Sequence, residues 1–490
     1  MRSSAVVASF VSVSIVCGLS DAAQKRVRLS REEKVKTVLE QAKPLEHPRG
    51  DRLPLFIWRM IDATYGLDDA AAEQTVKDLG DRGVSVISNW QHHPKRREQY
   101  MKNALRTAAF QRKLGLPVVT FANPLLHRFF NGDPETAHID EDGNPFFDMS
   151  FSSRVKIGCA FSVKHRYVEI EGRVEDYVKA YKEADMPLDI VFADWEIDGP
   201  IEWNEGWAHC KRCKRCRENI KNIEDFTEFQ KALRTIRSEM QRVCYAEPIK
   251  KAYPNVLVGN YAVNPHDGWR YWYDYFEKEP TEGMDFRMDQ RCPVRRWFDE
   301  YPLTGFTYAN PTVYTWYRTY DWYDFKNPDY RWFYNLLMVA TNTCRNTPRE
   351  TPVIAFVHWH TTAPPKDAKP VPQFSEEKYQ ELLWHMLLRG TDSFAMWCVD
   401  AELAKETRLV HEVYAESLKY REFLDKGEPI GFDVPKTEGP VVSGLRLGNE
   451  VLVIRSDFTD DREPVKIKVG QATLEVPRSE GTPEIVRIGG

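Results

Sequence analysis

Eight apolar runs, each seven to eleven residues long, recur between residues 54 and 400, with helical stretches between them. They are "PLFIWRMID" (54–62), "VSVISNW" (84–90), "LPVVTFANP" (116–124), "LDIVFADWE" (188–196), "NVLVGNYAVNP" (255–265), "TGFTYANPTVY" (304–314), "TPVIAFVHWH" (351–360) and "DSFAMWCVD" (392–400). Several are continuously apolar, as strands buried on both faces must be. Stretches such as "DAAAEQTVKDLGDRG" (69–83) and "EEKYQELLWHMLLRG" (376–390) read as helices. Strand and helix in strict alternation, eight times over, predict a (β/α)₈ TIM barrel, with an open doubly wound sheet as the structural alternative. The runs begin apolar and end in groups such as Asp62, Asn89, Asn123, Glu196, Asn264, His360 or Asp400. In a barrel those ends gather at one mouth, where the chemistry of the fold sits.

The flanks differ from this pattern. Residues 1–23 carry Arg2, an apolar stretch from Ala5 to Val16 and small residues near Ala22, which reads as a signal peptide and predicts a secreted or periplasmic protein. No other segment reads as transmembrane. Residues 24–52 read as a helix, with Ser30 as its N-cap, and a linker. The barrel occupies 53–427. Residues 428–490 alternate in short strands with turn residues and predict a small C-terminal antiparallel β domain, sandwich-like, packed on the barrel. The net charge is -5 and the pI near 6.2, so charge offers no case for nucleic acid. Aromatic residues make up 12%; most serve packing, and some are candidate platforms for sugar rings.

The run "VFADWEIDGP" (191–200) is the most specific local signal. Side chains at i and i+2 of a strand share a face, so Asp194, Glu196 and Asp198 point one way and Trp195 the other. Asp194 and Glu196 are then about 6–7 Å apart along the strand. Adjacent carboxylates do not both ionise cheaply, and a protonated acid beside a carboxylate suits glycosidic cleavage. The competing reading has these acids capping helices or pairing with rim arginines. The seventh run, "VIAFVHWHTTAPP", ends without a carboxylate, which weighs against a retaining pair on strands four and seven. Asp62 or Asp400 could hold a water across the cleft of an inverting enzyme.

"DIVFADWE" resembles the fourth-strand motif of family 18 chitinases, Asp-x-x-Asp-x-Asp-x-Glu, with Asp189, Asp194 and Glu196 in place and Phe192 where the middle aspartate stands. Asp194-Trp195-Glu196 is also similar to the strand end of family 56 hyaluronidases. "SFAMWCVD" resembles the last strand of both families, which implies that Trp397 floors the reactive subsite. The resemblance implies Glu196 as general acid and Asp194 as the group that orients and charge-stabilises a substrate N-acetyl nucleophile. The expected substrate is therefore a polysaccharide or glycan, N-acetylhexosamine leading, with no cofactor required for catalysis. Asp198, Tyr261, Asn264, Tyr308, His358, His360, Trp397 and Asp400 are the expected substrate-binding wall. Arg59, Arg270, Arg287 and Arg291 could meet an acidic glycan.

Two other features carry chemistry. "HCKRCKRC" sets Cys210, Cys213 and Cys216 at metal-clip spacing, with His209 or Cys244 as a fourth ligand; an exported setting equally favours disulfides. A structural zinc and a disulfide cluster both stay open. Similar clusters, followed by a strand like "YPNVLVGNY", occur in other barrel glycosidase-like proteins. "HWH" sets His358 and His360 on one strand face, which suits sugar hydroxyls or, with His92 and His93, a metal. Two further function classes follow: a non-catalytic carbohydrate-binding barrel, and a metal-dependent hydrolase or deacetylase using His358 and His360.

Overall fold

The computed structural model describes residues 27–126, 132–150, 156–195, 204–266, 300–362, 370–460 and 463–488. All eight expected strands are present: Leu55–Ile61, Val84–Asn89, Val119–Phe121, Ile190–Ala193, Leu257–Asn260, Thr312–Trp316, Ile354–Thr362 and Ser393–Met396. They form one sheet in the order fifth, fourth, third, second, first, eighth, seventh, sixth, and every pairing is parallel.

The first strand pairs with the eighth, Phe56 opposite Ala395 and Ile57 opposite Met396. Sequential neighbours with the first and last in contact exclude the doubly wound order, which reverses at a switch point. The remaining gap is bridged by the segment leading into the sixth strand. Thr307 donates its N–H to Val258 O at 2.9 Å, and Ala309 donates to Pro352 O at 2.8 Å. This is a (β/α)₈-type barrel.

Alternation sorts each strand's side chains between an inner and an outer core. Phe56, Ile87, Val119, Ile190, Phe192, Tyr308, Ile354, Phe356 and Ala395 pack together inside. Val191, Ala193 and Trp195 instead face the surrounding helices, with Tyr177, Tyr181 and Tyr245. The third strand is shorter than expected. Pro117 has no N–H to offer, and Asn123 already begins a short helical turn, Asn123–Leu126. Asp189, the first residue of the chitinase-like motif, accepts the Val118 N–H at 2.7 Å at the base of the barrel.

Helices begin where caps dictate. Ser30 and Glu33 form a reciprocal capping box on the helix Arg31–Gln41, as its sequence predicts. Asp68 caps Asp69–Gly80, and Ser375 caps Glu376–Leu387. The last barrel helix is Leu403–Ser417.

Beyond it, Glu428–Pro429, Val441–Leu447, Glu450–Ser456 and Glu484–Arg487 form a four-stranded sheet, all antiparallel. A separate hairpin, Val465–Val469 with Ala472–Val476, packs Val469, Leu474 and Val476 against Val451 and Val453. Arg389, fully buried, joins barrel to sheet. It donates to Thr341 Oγ1, Ser443 Oγ, Phe432 O, Asp433 O and Val442 O. Among the described residues no helix is long and apolar enough to cross a membrane. The proposed signal peptide lies outside the described residues.

Candidate active site

Asp194 follows the last residue of the fourth strand, and its neighbours hold it there. Its N–H donates to Asn123 Oδ1 at 3.2 Å. The Asn260 side chain brackets Trp195, accepting its N–H at 2.8 Å and donating to its carbonyl at 3.2 Å. Since Phe192 points into the barrel and Trp195 into the outer core, Asp194 falls on the inner face, as the alternation predicts. It is partly buried, and burial pushes its carboxyl up to about 7. Glu196 and Asp198 lie outside the described residues.

Phe192 stands where the chitinase motif has an aspartate, and the barrel interior explains the difference. Its ring meets Phe56 at 4.8 Å and Tyr308 at 5.5 Å, both edge-on. Above it Trp58 packs edge-on against Phe121 at 4.9 Å and Phe356 at 5.2 Å. An aromatic floor therefore replaces a buried carboxylate. Trp58 and Phe121 were not singled out from sequence, because their runs look like ordinary apolar strands.

A continuous row of rings crosses strands five to eight. Tyr261 follows the fifth strand, its N–H donated to Ala193 O at 3.0 Å beside Asp194. Its hydroxyl is hydrogen-bonded to that of Tyr314. Tyr314 stacks on His358 with centroids 4.2 Å apart, and His358 meets His360 at 4.6 Å. Trp397 completes the row, 5.5 Å from His358 and 5.6 Å from His360. The structure thus brings together Tyr261, His360 and Trp397 from the expected wall, packed around His358, which is itself fully buried.

Glu406, from the helix after the eighth strand, sits under this row. Its carboxylate accepts the N–H of Trp359 at 2.8 Å and of His360 at 2.9 Å, and it also meets His360 Nδ1. This pins the His360 ring. Burial, with His360 beside it, holds His358 well below the ordinary imidazole range, so it is neutral. Donor atoms of His358, His360 and Glu406 lie within 4.8 Å of one another. His92 and His93 do not join them: His92 Nδ1 meets Pro124 O at 2.5 Å instead. The seventh run itself ends without a carboxylate, as its sequence shows, and the one that lies against it is the buried Glu406, 46 positions away.

Two expected wall residues are placed otherwise. Tyr308 is fully buried inside the barrel, so it has no surface to offer a substrate. Asp400 anchors the N-terminal helix: it accepts the Leu29 N–H at 3.0 Å and pairs with Lys34 at 3.3 Å and Arg59 at 3.1 Å. Asn264 donates to Thr343 Oγ1 at 2.8 Å and Pro265 O at 3.1 Å. Arg59 is also bound to Cys398 O at 2.8 Å; Arg270, Arg287 and Arg291 lie outside the described residues. A cavity of about 400 Å³ opens among Arg31, Lys34, Trp58, Arg59 and Ile61.

Asp62, at the end of the first strand, has φ +60, a conformation rare outside glycine and asparagine. It accepts from Asn89 Nδ2 at 3.1 Å, and burial pushes its carboxyl up to about 6. Of the ring-rich stretch 313–334, Tyr330, Trp332, Phe333 and Tyr334 are core residues.

The cysteines also regroup. Cys213 and Cys216 gather with Cys159 and His138, while Cys210 is buried in the same small core. His209 faces Asp148 at 3.4 Å, and Cys244 lies in the outer barrel core. None of the seven described cysteines is joined in a disulfide.

No family model matches this chain, and comparison with curated proteins finds no match. Among solved structures it is similar to alpha-L-fucosidase isoenzyme 2 from Paenibacillus thiaminolyticus, at 10% identity and TM-score 0.42, over 74% of this chain and 48% of that one. It is similar to a GH36 alpha-galactosidase from Geobacillus stearothermophilus, at 10% identity and TM-score 0.41, over 94% and 58%. A GH31 family sulfoquinovosidase from E. rectale, at 10% identity and TM-score 0.44, is covered over 94% and 65%. This chain thus spans between about half and two thirds of these three proteins. Likenesses this distant leave the chemistry to be argued from the residues themselves.

Proposed function

We propose that this protein is a glycoside hydrolase acting on a polysaccharide or glycan. The observation that carries the reading is Asp194: a partly buried carboxyl on the inner face at a barrel strand end, pushed up to about 7 by burial, with Asn123 fixing its backbone N–H and Asn260 fixing the backbone of Trp195 beside it. Perturbed acids in such positions mark reaction sites. The sequence sets Glu196 two residues on. In this reading Glu196 protonates the leaving glycosidic oxygen as the C–O bond breaks. Asp194 orients and charge-stabilises the substrate's N-acetyl group, whose oxygen attacks the anomeric carbon, and water then opens the cyclised intermediate. That substrate-assisted course rests on the resemblance to families 18 and 56. Tyr261, His360 and Trp397 are proposed to contact the sugar, and Asp198 to line the same side.

The test is hydrolysis of defined glycans by the wild type, Glu196→Gln and Asp194→Asn. Loss of the acid should lower turnover by about 10²–10⁴ on natural linkages and less on a nitrophenolate leaving group. Asp194→Asn should harm both, and a thiazoline mimic should inhibit cleavage of N-acetylated substrates. Full activity of Glu196→Gln on a natural glycan sinks the assignment.

The clustering of Glu406 with His358 and His360 favours a second reading, a metal-dependent hydrolase or deacetylase. It requires a bound metal ion that disappears in His360→Ala together with activity.

A further inference from the structure

We infer that His138, Cys159, Cys213 and Cys216 form a structural zinc site that ties together the two loops flanking Asp194.

The four donor atoms lie within 4.8 Å of one another, and all four residues are buried. Cys159 Sγ is 3.6 Å from Cys216 Sγ, which is 3.9 Å from His138 Nδ1. Zinc bonds of about 2.3 Å to sulfur and 2.0–2.1 Å to nitrogen give a tetrahedron with edges of about 3.5–3.8 Å. A disulfide needs sulfurs about 2.05 Å apart. The spacing therefore fits corners of one coordination sphere. Three thiols and one imidazole select zinc among common divalent ions, and a buried four-donor set leaves no open position for catalysis.

The local scaffold is built to hold these corners. Cys213 and Cys216 bracket the first turn of a short helix, Lys214–Asn219. Between them, Arg215 donates to Ala137 O at 3.0 Å and Ser162 Oγ at 2.5 Å, clamping both partner segments. Cys159 donates its N–H to Thr136 O at 2.7 Å. Gly158 permits that approach, because a Cβ there would sit 2.3 Å from Thr136 O. The packing around the site, Ala160, Ile220, Ile223, Phe229 and Leu233, is a satellite core separate from the barrel's. So small a core is where a metal contributes most to folding.

Position gives the site its consequence. Residues 132–162 follow the third strand and residues 204–220 follow the fourth, and both loops belong to the barrel mouth. The zinc would set the loop geometry next to Asp194 without touching substrate. This inference does not depend on the reaction proposed above.

The experiment is elemental analysis of the purified full chain, prepared without chelator. About one zinc per chain is expected. Cys159→Ser, Cys213→Ser, Cys216→Ser and His138→Ala should each lower zinc content or affinity at least about tenfold. Cys210→Ser and Cys244→Ser should retain it. Should the ligand variants fail to fold, the wild type still decides. X-ray absorption at the zinc edge should show three sulfurs and one nitrogen. A metal-free protein whose unreduced peptide map joins Cys159, Cys213 or Cys216 in disulfides overturns the proposal. A four-sulfur shell that includes Cys210 overturns the ligand set.

Discussion

Glu406 Oε1 accepts the backbone N–H of His360 at 2.9 Å and faces the Nδ1 of the same residue. One buried carboxylate thus fixes both the strand end and the ring that the strand presents. Glu406→Gln keeps the shape but removes the charge and points an amide toward donors. It should cost about 1.5–3 kcal/mol of stability, the worth of a hydrogen bond to a charged group. It should also lower kcat/KM by freeing the His360 ring. Urea unfolding read beside glycan kinetics checks both. Unchanged stability would show that the carboxylate is not what holds His360.

Asp194 should make stability depend on pH in a definite direction. Its carboxyl is raised to about 7 in the folded chain, against about 3.9 unfolded. The folded state therefore binds more protons in between. The stabilising contribution is complete below about pH 4 and is lost as pH rises towards about 7. Asn cannot titrate, so Asp194→Asn should gain stability relative to the wild type as pH rises from about 4 to about 7, the window of that shift. Chemical denaturation at both ends of the window measures it. A difference that stays flat with pH contradicts the burial of this acid.

Gly259, one residue before Asn260, admits no side chain. A Cβ there would lie 2.6 Å from Tyr308 Cζ inside the barrel. Gly259→Ala should cost about 1–3 kcal/mol through overpacking. Pairing it with Tyr308→Leu should recover part of that loss, a non-additivity expected of residues in contact. Simple additivity in the double variant would place the strain elsewhere.

Arg389 should control attachment of the C-terminal sheet. Its guanidinium is fully buried and serves five acceptors on both sides of the junction. Arg389→Met leaves those acceptors unpaired and should cost about 3–5 kcal/mol. Arg389→Lys should not restore the loss, because an ammonium cannot reproduce the planar fork. Limited proteolysis should then cut between 427 and 441 faster than in the wild type. Unaltered cleavage would mean that apolar packing alone holds the junction.

Much of this architecture is written in short-range pattern. Apolar runs and their spacing determine eight strands, and strict alternation with helices orders them, because each strand must bury both faces. The two-residue period of a strand also places Asp194 inward and Trp195 outward. Ser30 and Glu33 cap a helix through contacts three residues apart. These are local consequences of backbone geometry, so the sequence alone carries them.

What the closed barrel decides is which distant residues meet. His360 finds Glu406 across 46 positions, Cys159 finds Cys216 across 57, and His138 finds Cys216 across 78. Tyr308 turns into the interior although its run resembles the others, and Asp400 is taken by Lys34 and Arg59. No periodicity encodes such pairs. They arise because the fold converges many strand ends and loops on one face, where a buried polar group must find its partner among whichever residues arrive there.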